Sequence, residues 1–215
     1  FSVETNKWNH IAATYDATES TLTFYHNGVQ VRQFANVTAN APFLTNLRQL
    51  RVGWAGGDYR HFEGSIDSIV FYDQVLSDEE MVSLATRTFN ENATFIFELD
   101  EVPGSEQFQY GFEDGEFGSC AGDACPSAGR RGLINWAAYF DGNDSIRTET
   151  PFTEDIEYFT ISTWVKASEG TIFSYRQGDY ERFALTTNNF SVTDQSPGHS
   201  VGFPNIVSDS DWTHI

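Results

Sequence analysis

An all-β chain of short strands with one short helix is what this sequence predicts from three observations. Short apolar runs are separated throughout by clusters of Gly, Thr, Ser and Asn. Asn27-Gly28 joins two alternating segments and supplies the positive φ angles of a tight hairpin turn. Only the segment that begins at Ser77 carries clear helix signals.

The composition supports a packed chain. Of 215 residues, 40% are hydrophobic and 15% aromatic, with 19 Phe, enough to build a core. The 31 acidic and 12 basic residues give a formal charge of −19, which repels phosphate backbones and anionic membrane surfaces and argues against nucleic acid as a partner. The same charge suits divalent cations or a solvated extracellular surface. No run approaches the roughly 20 apolar residues of a membrane helix, so no membrane span is expected.

Each element has its own signal. His10 to Tyr15 reads as a strand. Leu22, Phe24 and His26 alternate with Thr23 and Tyr25 up to Asn27-Gly28, and the return strand runs through Val29, Val31 and Phe34. Leu47 to Trp54 is a further strand, Gly56-Gly57-Asp58 a loop, and Phe62 to Tyr72 a long strand with a kink at Gly64. Ser77-Asp78-Glu79-Glu80 forms a capping box, Met81 and Leu84 supply an apolar stripe, and the helix ends near Arg87. The polar stretch 86–93 reads as a linker.

Phe95 to Leu99 is a strand, followed by a long Gly-, Ser- and acid-rich stretch that contains the two cysteines and Gly129-Arg130-Arg131-Gly132. Ala137 to Phe140 leads into the turn Asp141-Gly142-Asn143-Asp144 and a strand through Ile146. Phe159 to Lys166 alternates, with Phe159, Ile161 and Thr163 on one face and Thr160, Ser162 and Trp164 on a wet or partly wet one. Thr171 to Tyr175 and Arg182 to Thr186 continue the meander.

Trp8-Asn9-His10-Ile11 returns as Trp212-Thr213-His214-Ile215, which points to a tandem repeat whose boundaries fall inside a repeated unit. Cys120 and Cys125 flank a short turn-rich segment. They pair as a disulfide in an oxidising compartment or stay free thiols in a reducing one, and they lack the extra ligands zinc needs. Asn36, Asn92, Asn143 and Asn189 head Asn-x-Ser/Thr sequons.

Several motifs together resemble a known family. Trp8-x-His10-Ile-Ala-Ala-Thr-Tyr-Asp16, Tyr25-x-Asn27-Gly-Val29, Val52-Gly53, the run from Phe62 to Asp73 and Leu76-Ser77-x-Glu79-Glu80 are similar to the C-terminal half of a laminin G-like domain. Phe140-Asp-Gly-Asn-Asp144 and Phe159-Thr-Ile-Ser-Thr-Trp-Val-Lys166 resemble the N-terminal half of the same kind of domain. The resemblance implies an antiparallel jelly-roll sandwich of concanavalin A-like type with one short edge helix, assembled from halves in reversed order: 1–88 as the C-terminal half, 86–93 as linker and 94–215 as the N-terminal half. Two geometries satisfy that order. Each half is completed by a neighbouring copy in an array, the favoured reading, or the two close on each other within one chain.

The chemistry expected is non-catalytic. Related glucanases present carboxylates in a Glu-x-Asp-x-Glu strand, and neither Glu98-Leu99-Asp100-Glu101 nor Glu154-Asp155-Ile156-Glu157 has that alternation. His10 reads as an imidazole satisfied by backbone. Trp54, Asp58, Tyr59 and Tyr180 lie by polar or Gly-rich loops, where they are candidates to bind a sugar. Calcium is the cofactor the resemblance implies, with Asp141, Asn143 and Asp144 as ligands and Asp67 and Asp100 joining them if the first and last strands meet; the turn residues also suit a plain tight turn. The leading expectation is an extracellular or cell-surface structural or adhesive repeat of a long surface protein or filament, with neighbouring copies of the same chain as partners. The alternative is a calcium-dependent carbohydrate-binding module whose partners are glycans.

Overall fold

A computed structural model describes residues 7–37, 49–54, 61–86, 92–109, 117–133, 135–148, 157–177, 180–187, 189–192 and 200–202. The first half supplies β1 (Asn9–Asp16), β2 (Thr21–His26), β3 (Val29–Phe34), β4 (Gln49–Val52), β5 (Glu63–Tyr72) and the helix α1 (Asp78–Ala85). The second supplies β6 (Phe95–Phe97), β7 (Gln107–Gln109), β8 (Phe117–Ser119), β9 (Ser127–Arg131), β10 (Trp136–Asp141) and β11 (Ile146–Thr148). It continues with β12 (Tyr158–Glu169), β13 (Thr171–Gln177), β14 (Tyr180–Thr186), β15 (Asn189–Val192) and β16 (Ser200–Gly202).

These strands form two antiparallel sheets. The first runs β3-β2-β1-β12-β5-β10-β9 with β6 also paired to β5, and the second runs β16-β15-β14-β13-β4-β11-β8-β7. Both sheets therefore mix strands of the two halves. On one side β12 pairs with β1 from Asn9↔Val165 to Asp16↔Tyr158, and on the other with β5 from Thr160↔Tyr72 to Glu169↔Glu63. Described strands of 1–88 and of 94–215 thus pair with each other within the one chain in both sheets. The segment 87–91 of the expected linker lies outside the described residues.

Phenylalanine fills the space between the sheets. Phe24, Phe62, Phe71, Phe97, Phe108, Phe140, Phe159 and Phe173 are fully buried there. Phe159, Phe71, Phe95 and Phe173 stack in succession at centroid distances of 5.9, 5.2 and 6.1 Å, linking β12 of the first sheet to β13 of the second. A second cluster lies on the outer face of the first sheet, where Met81 and Leu84 of α1 cover Ala12, Tyr25, Val70, Tyr72 and Leu76.

That second cluster corrects one expectation. On the face of β12 that holds Thr160, Ser162 and Trp164, the first two are buried and only Trp164 is half-exposed. It stays polar because its hydroxyls have work in a dry place: Thr160 Oγ1 accepts from the Leu76 amide at 3.0 Å and donates to the Gln74 carbonyl at 2.7 Å. Alternation of polar and apolar residues distinguishes two faces, but it cannot tell water from a covering helix.

Local chemistry sets the remaining elements. Asn27 and Gly28 adopt φ of 51° and 80°, the pair a type I′ turn requires. Ser77 and Glu80 make the reciprocal capping box, and α1 stops at Ala85, slightly before Arg87, because the Thr86 hydroxyl donates to the Val82 and Ser83 carbonyls. β5 kinks at Gly64 as expected and again at Ser68, whose φ is 56° and whose amide leaves the ladder to bond the Glu98 carbonyl. The Gly-, Ser- and acid-rich stretch contains β7, β8 and β9, short strands that periodicity does not reveal.

His10 is satisfied at one ring nitrogen only, and by a side chain instead of the expected backbone; its buried Nδ1 has no partner among the described residues. Its Nε2 lies 2.7 Å from Ser162 Oγ of β12, a side chain, while its backbone amide donates to Asn27 Oδ1 at 2.9 Å. Burial, with His26 nearby as a second cause, lowers its pKa to about 3. Between that value and 6.5 the unfolded chain binds more protons than the folded one, so stability falls as pH drops through this window.

Two outcomes are expected. In proton NMR the His10 ring shows no titration above pH of about 5, and urea midpoints decline with acid below about pH 6.5. Ile161→Ala, which empties a fully buried site in the central strand β12, lowers unfolding free energy by about 2–5 kcal/mol in urea titrations.

Candidate functional site

The outer face of the second sheet carries a compact cationic and aromatic cluster. Leu50 and Val52 of β4 point into the core, which turns Arg51 outward. Ile146 and Thr148 of β11 do the same for the exposed Arg147. Arg51 and Arg147 are direct cross-strand neighbours, and the register extends them into a row Gln107, Ser119, Arg147, Arg51, Ser174 across five strands.

Trp54 sits over this row. Gly53 turns the chain at φ 84°, a place where an added Cβ would lie 2.4 Å from the Phe140 ring, so only glycine fits. Ser174 Oγ then donates to the Trp54 carbonyl at 2.6 Å. The Arg51 and Arg147 guanidinium carbons lie 4.5 and 5.2 Å from the indole centroid, and His61 lies parallel to it at 5.4 Å with an interplanar angle of 9°. The indole is thus a post on which three side chains stack. A sugar ring stacking there directly would have to displace one of them.

Other expected ligand residues fall elsewhere. Asp58 and Tyr59 lie outside the described residues, and Tyr180 opens β14 opposite Gln177 with its side chain outside the description. Arg51, Arg147 and His61 went unnoticed in the sequence. The signal available was a lone arginine between inward-facing residues in Leu50-Arg51-Val52 and Ile146-Arg147-Thr148.

The five expected calcium ligands do not meet about one ion. Asp67 and Asp100 lie at the start of β10. Buried Asp67 accepts from Ser68 Oγ at 2.8 Å and the Leu133 amide at 2.9 Å, and Asp100 accepts from the Trp136 amide at 3.1 Å and Asn135 Nδ2 at 3.2 Å. These carboxylates fill the junction where β10 and β6 share one side of β5. Asp141, Asn143 and Asp144 lie at the far end of β10, about 16 Å away at 3.3 Å per residue. There Asp141 accepts from the Asn143 amide at 3.2 Å and Asp144 from the Asp141 amide at 2.8 Å, as in a tight turn. Burial first, then the Asp141 charge, raises Asp144 to about 6 against the amide bond it accepts. Among the described residues no three of His, Cys, Asp and Glu come together as a metal cage.

Cys120 and Cys125 are joined as a disulfide around a 3-10 turn at Gly122–Ala124. The Ser145 amide donates to the Ala124 carbonyl at 3.0 Å, tying this loop to the Asp141–Asp144 turn. Asn36, Asn92 and Asn143 are exposed, and Asn189 lies in β15 opposite Gly202. Gly198-His199-Ser200-Val201-Gly202 has the spacing of a nucleophile elbow. Ser200, however, starts strand β16 opposite Ser191 in place of capping a sharp strand-to-helix turn.

Asp67→Asn, which sets an amide N–H against one of two donors, is expected to cost about 1–3 kcal/mol by chemical denaturation, with far-UV circular dichroism unchanged.

No curated protein and no solved structure gives a significant match to the chain. Among the described residues no helix is long and apolar enough to cross a membrane. Residues 1–82 match the family model of the concanavalin A-like lectin/glucanases superfamily, of laminin G type, and the two antiparallel sheets form a jelly-roll sandwich of that kind.

Proposed function

We propose that this chain is a non-catalytic adhesive module that binds a carbohydrate on the outer face of its second sheet, beside Trp54. The superfamily match supports a carbohydrate-binding or adhesive role in general. The observation that carries the specific reading is the assembly of Trp54, His61, Arg51 and Arg147 on the outer face, with exposed Gln107 on the same row. Aromatic and planar cationic groups beside neutral hydrogen-bonding side chains suit a hydroxylated ligand.

The structural-repeat reading ranks second here. Its main support was completion of each half by a neighbour, and both halves close within one chain. An extracellular setting is supported by the Cys120–Cys125 disulfide and by exposed sequons at Asn36, Asn92 and Asn143. Calcium enters the proposal only at the Asp141–Asp144 turn, because the five-residue set is split. The non-catalytic part rests on the laminin G type, and on Asp67 and Asp100 being committed to holding the β6 and β10 junction.

A glycan array read with and without chelator tests this. Wild-type protein is expected to bind defined sugars, and Trp54→Ala to lose binding by about tenfold or more while keeping its circular dichroism. Absence of any bound glycan overturns the reading in favour of a structural repeat. Release of reducing sugar from a bound glycan overturns its non-catalytic part.

A further inference from the structure

The strand pairing is unevenly divided between the halves. Within residues 1–88 the described strands form only two ladders, β1 with β2 and β2 with β3. Among the described residues β4 and β5 take no partner from their own half. β4 lies between β11 and β13, and β5 has β12 on one side and β10 and β6 on the other, all of them from 94–215. β12 also supplies the second neighbour of β1. The core repeats this division, because Phe71 of β5 stacks between Phe159 and Phe95 of the second half.

Six ladders therefore join the halves, whereas the backbone joins them only through residues 87–93. That connection leaves Thr86 at the end of α1 and reaches Thr94, whose amide donates to the Phe71 carbonyl at 2.7 Å. Ladders and ring stacks form as well with the matching strands of a second copy as with strands of the same chain, so the choice is set by the effective concentration that the connection imposes against the concentration of other copies. A short connection between large complementary parts invites identical parts to exchange between copies. We propose that two copies of this chain exchange halves, residues 1–88 of each completing both sheets of 94–215 of the other in a closed two-fold dimer. β12 receives the partner, its two flanks taking β1 and β5 of the second copy. The exchange needs no glycan, so it stands or falls apart from the carbohydrate reading. Each copy carries a formal charge of −19, which opposes the encounter and makes exchange more favourable as salt screens it.

Ser65 of β5 and Lys166 of β12 stand directly opposite one another, half-buried and exposed, and allow a test that leaves the core untouched. Ser65→Cys is made in one sample and Lys166→Cys in another, with the Cys120–Cys125 disulfide kept. The two are mixed at about 100 μM, unfolded in urea without reductant, refolded and oxidised. A dimer bridged between position 65 of one copy and position 166 of the other, identified by peptide mass spectrometry, is expected at about tenfold or more the bridged dimer from either variant alone. For the unsubstituted chain, light scattering after chromatography is expected to show a dimer share that grows as refolding concentration rises from about 1 to 100 μM and as salt rises from about 50 to 500 mM. Monomers at every concentration overturn the proposal. So does a dimer in which the 65–166 bridge forms no more than in the single-variant samples, since its copies then meet through another surface.

Discussion

Everything in this fold depends on one insertion: β12, drawn from the second half, occupies the slot between β1 and β5 of the first. Without it the first sheet would be two separate pieces, each with an open edge at its centre, and the stack of rings from Phe159 to Phe173 would lack its first member. The same strand presents Phe159 and Ile161 to the inter-sheet core and Thr160 and Ser162 to the layer beneath α1. Thr160 and Ser162 are dry, so their hydroxyls take specific partners: the Leu76 amide and Gln74 carbonyl for Thr160, and His10 Nε2 for Ser162.

A second constraint follows on the other side of β5. β10 and β6 share that side end to end, and neither ladder continues across the gap. Asp67 and Asp100 span it, their oxygens taking the amides of Leu133 and Trp136. Acidic residues that look like ligands in isolation are here substitutes for missing backbone acceptors, which is why a buried carboxylate is tolerated in the sheet. The Arg51 and Arg147 pair is the converse case: charges set side by side on a surface, with an indole as the support.

Much of the fold could be read from the residues, and the reasons differ by element. The Asn27-Gly28 turn, the Ser77 capping box and the kink at Gly64 each depend on chemistry within a few residues, so the sequence displays them directly. The kink at Ser68 and the strands β7 to β9 depend on distant partners such as Glu98 and β11 and leave no local mark. The partly wet face expected of β12 holds at Trp164 but not at Thr160 and Ser162, because burial there comes from α1, nearly 80 residues earlier in the chain. For the site, Trp54 was readable from its Gly-rich surroundings, but Arg51, Arg147 and His61 gather around it only through sheet register and a loop return. Asp67 and Asp100 do come near one another; the turn residues Asp141 to Asp144 are carried away by the length of β10.

The placement of β12 also bears on how the molecule comes into being. During synthesis β1, β2, β3, β5 and α1 emerge first, with the flank of β1 and the flank of β5 each waiting for a strand that begins at Tyr158. Contacts of such wide sequence separation must overcome a large loop-closure entropy before they contribute anything, so folding is slow and the early half stays adhesive in the wrong sense, toward other nascent chains. Residues 1–88 hold 10 acidic and 6 basic residues, so little of the chain's charge of −19 is yet present to keep those incomplete sheets apart.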